Sequence, residues 1–86
     1  MKRFVYFYLM KNDPDAIRAA APHHARYWRD KALPHFQGGP FVDHSGGCIT
    51  FAVASVEMAR ELITRDPFRT NDCLSRYFLM EWLLDE

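Results

Sequence analysis

Eighty-six residues and 10.1 kDa leave room for a single domain, residues 1–86, and size scaling lets so short a chain bury only about 64% of its unfolded surface, a thin margin for a monomer. Eleven Lys and Arg offset eleven Asp and Glu, so there is no basic field to gather nucleic acid or anionic lipid, and the longest apolar run, Phe4 to Met10, falls far short of the roughly 18 residues a membrane span needs. Cys48 and Cys73 form no disulfide framework and the opening MKRFVYFYLM is no cleavable signal peptide, which reads as a cytoplasmic protein with reduced thiols, while seven Phe, four Tyr and two Trp are more large apolar surface than a small domain hides and point to oligomerisation.

The run from Phe4 to Met10 is aromatic and β-branched and is bounded by Lys11-Asn12-Asp13-Pro14, so it reads as a strand. Phe4, Tyr6, Tyr8 and Met10 share one face and Val5, Phe7 and Leu9 the other. Neither face is polar, so the strand is expected at the centre of a sheet covered on both sides. Alanines between Asp15 and Ala21 favour a helical turn or two. The main helix is expected to start afresh at Pro22, because Pro suits a first helical position, and to run with Ala25, Trp28 and Ala32 on its apolar face to near Leu33.

A hairpin follows. Its first arm, His35 to Val42, carries Gly38-Gly39-Pro40 and so belongs at a sheet edge. A turn at Asp43–Gly47 leads into the second arm, Cys48 to Ala54. Ser55 suits the N-cap of a second helix with Val56, Ala59, Leu62 and Ile63 as its stripe, ended by Asp66-Pro67. Arg76 to Leu84 reads as a last strand, with a helix as the alternative. The order β-α-β-β-α-β is the ferredoxin-like arrangement, an α+β fold with both helices on one face of a four-stranded antiparallel sheet. The apolar character of the other face calls for a second subunit.

Two residues carry candidate chemistry. With Pro22 as first helical residue, His24 would sit at the positive end of a helix dipole, which favours a neutral, base-competent imidazole, and Trp28 one turn on would shelter it. The alternative is a packed or surface histidine. Asp66 would lie just past a helix end, where negative charge is unfavourable, so something else must hold it; the alternative is a simple N-cap of a following turn. No spacing of His23, His24, His35, His44, Cys48 and Cys73 suits a metal, and the paired glycines do not form phosphate loops.

Taken together, the aromatic first strand, Pro22-His23-His24-Ala25-Arg26-Tyr27, Gly39-Pro40, Ser55-Val56-Glu57-Met58-Ala59 and Asp66-Pro67-Phe68 resemble the YCII-related (YciI-like) proteins, small bacterial domains, across nearly the whole chain. The resemblance implies a ferredoxin-like fold paired into a dimeric α+β barrel. It also implies a His-Asp acid/base pair at His24 and Asp66, with His23 as the one-residue alternative, and substrate-binding positions at Tyr27, Gly39 and Pro40. The activity it implies is that of a lyase or isomerase-like enzyme, without cofactor or metal, for a small and cyclic or aromatic molecule. A non-catalytic ligand-binding or regulatory homodimer using the same cleft is the other reading.

Overall fold

The structure is a computed structural model and describes residues 1–85. Strand β1 (Lys2–Met10) leads into helix α1 (Pro14–Asp30). A hairpin of β2 (Gln37–Pro40) and β3 (Gly46–Val53) follows, then helices α2 (Val56–Thr64) and α3 (Pro67–Thr70), then β4 (Leu74–Glu81). The four strands form one antiparallel sheet in the order β2-β3-β1-β4. This is the ferredoxin-like α+β architecture, with β1 and β3 central and the glycine-rich β2 at an edge. No helix among the described residues is long and apolar enough to cross a membrane.

Strand alternation divides the sheet into two unlike faces. Phe4, Tyr6 and Tyr8 point towards the helices and are buried. There they meet Trp28 of α1 and Phe51 of β3, with ring centroids 5.8 Å apart for Tyr6–Trp28, 5.6 Å for Trp28–Phe51 and 6.0 Å for Phe4–Phe51. On the opposite face Phe7 lies across from Cys48 and Phe78, its ring stacked on Phe78 at 4.7 Å. Val5 sits between Thr50 and Met80, and Met80 is exposed. Among the described residues no helix covers this side.

The structure departs from the expected helix boundaries. α1 begins at Pro14, not Pro22, and runs through Pro22 to Asp30 rather than to Leu33. Asp13 caps it, its carboxylate accepting from the Ala16 N–H, and Pro14 takes the first turn. The cap-and-proline signal at Asp13-Pro14, read as a strand-ending turn, is therefore a helix start. Pro22 forfeits one backbone hydrogen bond, but the residue is exposed, and the alanine-rich turns before it and the burial of Ala20 and Trp28 outweigh that loss. His24 is thus in mid-helix, and the argument from the helix N-terminus does not apply to it.

The first hairpin arm is shorter than expected, and the second begins two residues earlier, at Gly46. The last segment is a strand, ending at Glu81 rather than Leu84. Ser55 caps α2 as expected, accepting from the Met58 N–H.

The early start of β3 depends on Gly46, which lies opposite Leu9 where the two backbones converge. A Cβ there would stand 1.8 Å from the Tyr8 carbonyl oxygen, a clash with backbone that no rotamer relieves. Gly46→Ala should therefore destabilise the fold by about 2 kcal/mol or more, read as a lowered denaturant midpoint. A midpoint equal to wild type would show that β1 and β3 can part at this point without cost.

Candidate functional site

Four side chains converge under the helices, and each is placed by an ordinary rule of its element. Tyr6 and Tyr8 are two apart on β1 and therefore share its helix-facing side. His24 lies one helical turn before Trp28 on the same stripe of α1. Asp66 is the N-cap of α3, where Pro67 takes the first turn and the carboxylate accepts from the Phe68 N–H at 3.0 Å. The capping reading of Asp66 and the pairing reading therefore hold at once.

Asp66 has no exposed surface. Its Oδ1 accepts from His24 Nδ1 at 2.6 Å as well as from the Phe68 N–H, and its Oδ2 accepts from the Tyr6 hydroxyl at 2.9 Å. A carboxylate in this setting only accepts, so the histidine proton stands on Nδ1 and the free lone pair of the neutral ring is on Nε2. That lone pair meets the Tyr8 hydroxyl at 3.2 Å, which donates to it. Burial, followed by the charge of Asp66, pushes both the Tyr6 and Tyr8 phenols above the usual tyrosine range, so both are neutral donors.

Ring packing fixes these hydrogen bonds in place. The imidazole stacks on Phe68, with centroids 4.0 Å apart and planes 20° from parallel, and meets the Tyr8 ring edge-on. Gly47 makes the Tyr8 position possible, since a Cβ there would fall 2.5 Å from the phenol oxygen.

Beside this cluster a cleft of about 390 Å³ opens between α1 and β2, within the range of small-molecule sites. Tyr8 and His24 form its polar end, and Trp28, Phe36, Ile49 and Phe68 supply apolar walls. Gly38, Gly39 and Pro40 form the β2 side. A Cβ on Gly38 would press on Ile49 at 3.0 Å and on Phe36 at 3.3 Å, so this glycine keeps the floor open. None of the lining side chains is a Lys, Arg, Asp or Glu.

Of the positions singled out in the sequence, His24 and Asp66 are brought into direct contact, and Gly39 and Pro40 line the same cleft. Tyr27 does not reach it. Its hydroxyl donates to the Leu62 carbonyl at 2.6 Å and its ring lies under Lys31, because one residue before Trp28 the helix has turned towards α2. The substrate-binding expectation for Tyr27 therefore finds no place in this cleft. His23 is exposed and does not line the cleft.

Sequence reasoning missed Tyr6, Tyr8 and Gly38. The available signal was two hydroxyl-bearing aromatics at i and i+2 on a strand too apolar to bury a phenol without a partner. Cys48 and Cys73 are free thiols, both pushed up by burial. Among the described residues no group of three His, Cys, Asp or Glu is placed to hold a metal ion.

No protein-family model matches this chain, and comparison with curated proteins finds no match. Solved structures do match. The chain is similar to 5-chloro-2-hydroxyhydroquinone dehydrochlorinase (TftG) from Burkholderia phenoliruptrix, in its complex with 2,5-dihydroxybenzoquinone, at 16% identity and a TM-score of 0.81 over 94% of this chain and 93% of that one. It is also similar to Rv0793 from Mycobacterium tuberculosis, at 14% identity and a TM-score of 0.55 over 99% of this chain and 96% of that one. At these identities the likeness shows the fold alone, a ferredoxin-like α+β domain with a four-stranded antiparallel sheet.

Proposed function

We propose that this protein is an acid/base enzyme of lyase or isomerase type, related to the YciI-like proteins, that acts on a small cyclic or aromatic molecule as a homodimer. The observation that carries the reading is the 2.6 Å contact of His24 Nδ1 with a fully buried Asp66, which orients the ring so that Nε2 lies at the polar end of the cleft. Such a base removes a proton from the ligand. The electron pair left behind either expels a leaving group, giving elimination, or shifts along the ring so that His24 returns the proton elsewhere, giving isomerisation. Asp66 balances the imidazolium formed in between. The apolar, uncharged walls suit a flat ring. The dehydrochlorinase that shares the fold acts, by its name, on a substituted hydroquinone, which supports this substrate class.

The test is turnover of chlorinated and unchlorinated hydroxyhydroquinones and of cyclic enones. His24→Asn should lower it by about 10²- to 10⁴-fold, the usual scale for a positioned acid/base group, with the fold retained by circular dichroism. His23→Ala should change it little. A folded His24→Asn protein that still turns over at the wild-type rate would move the cleft to a ligand-binding role.

The homodimer is read from the sheet face away from the helices, where half-buried Phe7 and Phe78 stack beside half-buried Val5 and exposed Met80. Light scattering should give near twice the 10.1 kDa chain mass at micromolar concentration, and Phe7→Asp should convert it to monomer. A wild-type monomer would remove the pairing from the proposal.

A further inference from the structure

We propose that Tyr8 is the group that meets the ligand, relaying a proton from a ligand hydroxyl to His24. The inference rests on the acid/base reading and names a residue and a substrate feature that the reading does not contain. A neutral imidazole has a single in-plane lone pair for accepting a proton, at Nε2 when Nδ1 carries the hydrogen. In this protein the Tyr8 hydroxyl already occupies it, at 3.2 Å. A ligand therefore reaches the base through Tyr8 or by displacing it.

Displacement is hindered by burial and ring packing. Tyr8 is 4% exposed, and its ring is packed against Tyr6 at 5.2 Å and Phe68 at 5.8 Å. The phenol oxygen lies over Gly47 in space that a Cβ would have filled. Tyr8 nevertheless lines the cleft, and its oxygen has a further lone pair with which to accept from a ligand.

The relay is balanced without a tyrosinate. The ligand O–H bond breaks and its proton bonds to the Tyr8 oxygen, while the proton Tyr8 held passes to His24 Nε2. The electron pair stays on the ligand oxygen. The imidazolium then donates to Tyr8, Tyr8 donates to the ligand anion, and Asp66 offsets the positive charge. Desolvation of the Tyr8 phenol holds its own ionisation above the usual range, which suits a group that passes protons on while staying neutral. The ligand this selects carries a phenolic or enolic hydroxyl. It enters uncharged, because no lining side chain offers a cation to a carboxylate or phosphate.

The probe is 4-nitrophenol, whose anion has its own visible absorbance, titrated into the intact protein below the probe's own pKa. In wild type the bound probe should show the anion band, and ¹⁵N NMR should show both His24 ring nitrogens protonated. In Tyr8→Phe the ratio of bound anion to bound phenol should fall by at least about tenfold, the cost of one hydrogen bond to a charged group. If that variant does not fold, fluorotyrosine installed at position 8 alone should raise the ratio, and an unchanged ratio overturns the relay. Equal ionisation in wild type and Tyr8→Phe overturns the relay alone and leaves His24 as the base. A probe bound as the neutral phenol, with His24 unprotonated, overturns the relay and the acid/base reading together. A probe that does not bind at millimolar concentration overturns the hydroxyl-bearing ligand.

Discussion

The constraint on which this structure turns is a carboxylate with no access to water. Moving a charged Asp66 into the interior costs several kcal/mol unless its lone pairs are met. They are met by Tyr6, His24 and the Phe68 N–H, donors from β1, α1 and the first turn of α3. Two elements distant in sequence, β1 and α1, thus converge on the N-cap of α3, and removing any one donor leaves a buried acceptor short of a partner. The geometry that fixes the fold at this point also fixes the tautomer of His24, so stability and chemistry are served by the same hydrogen bonds.

β1 extends that coupling to the whole sheet. Its helix-facing side brings two phenols to the cluster, while the other side presents Val5, Phe7 and Leu9 where no helix lies. A strand apolar on one side alone would leave the outer face to solvent, and one with Phe in place of Tyr6 would leave Asp66 Oδ2 without its donor. The sequence Phe4-Val5-Tyr6-Phe7-Tyr8 therefore serves the inner site and the outer surface by alternation, and the central position of β1 between β3 and β4 follows from having both faces to cover.

Much of this was legible in the chain, and the failures are specific. Periodicity and turn residues gave the order of the four strands and the two longer helices, though not the short α3, because two-residue alternation and Gly or Pro punctuation are local signals. Asp66 and His24 stood out singly by their places at helix ends, but their pairing was implied only by a resemblance to known motifs, since the contact spans 42 positions and no local pattern records it. The Pro22 argument misjudged a competition: one lost hydrogen bond on an exposed helix surface was weighed above the packing of Trp28 and the capping by Asp13, which local rules do not sum. Tyr6 and Tyr8 were taken for core because, by burial, they are core; what distinguishes them is a hydroxyl whose partner lies on another element. Tyr27 lies away from the cleft for a geometric reason, a single residue amounting to about 100° of rotation on a helix, enough to turn it to α2.

The glycines complete the physical account, because a site built from rings needs places where rings can go. Without a side chain at 46 the backbones of β1 and β3 converge, and without one at 47 there is room for the Tyr8 phenol, which reaches His24 Nε2. Without one at 38 the cleft keeps its floor. Each absence serves one place: Gly46 the approach of β1 and β3, Gly47 the space for the Tyr8 phenol, and Gly38 the β2 side of the cleft. Apolar walls around such a cluster exclude water and lower the local dielectric, which strengthens each hydrogen bond in the chain from Tyr8 through His24 to Asp66. The same walls make an unmatched charge expensive, which is why the ligand proposed for this cleft enters neutral and acquires charge only where a protonated His24 would balance it.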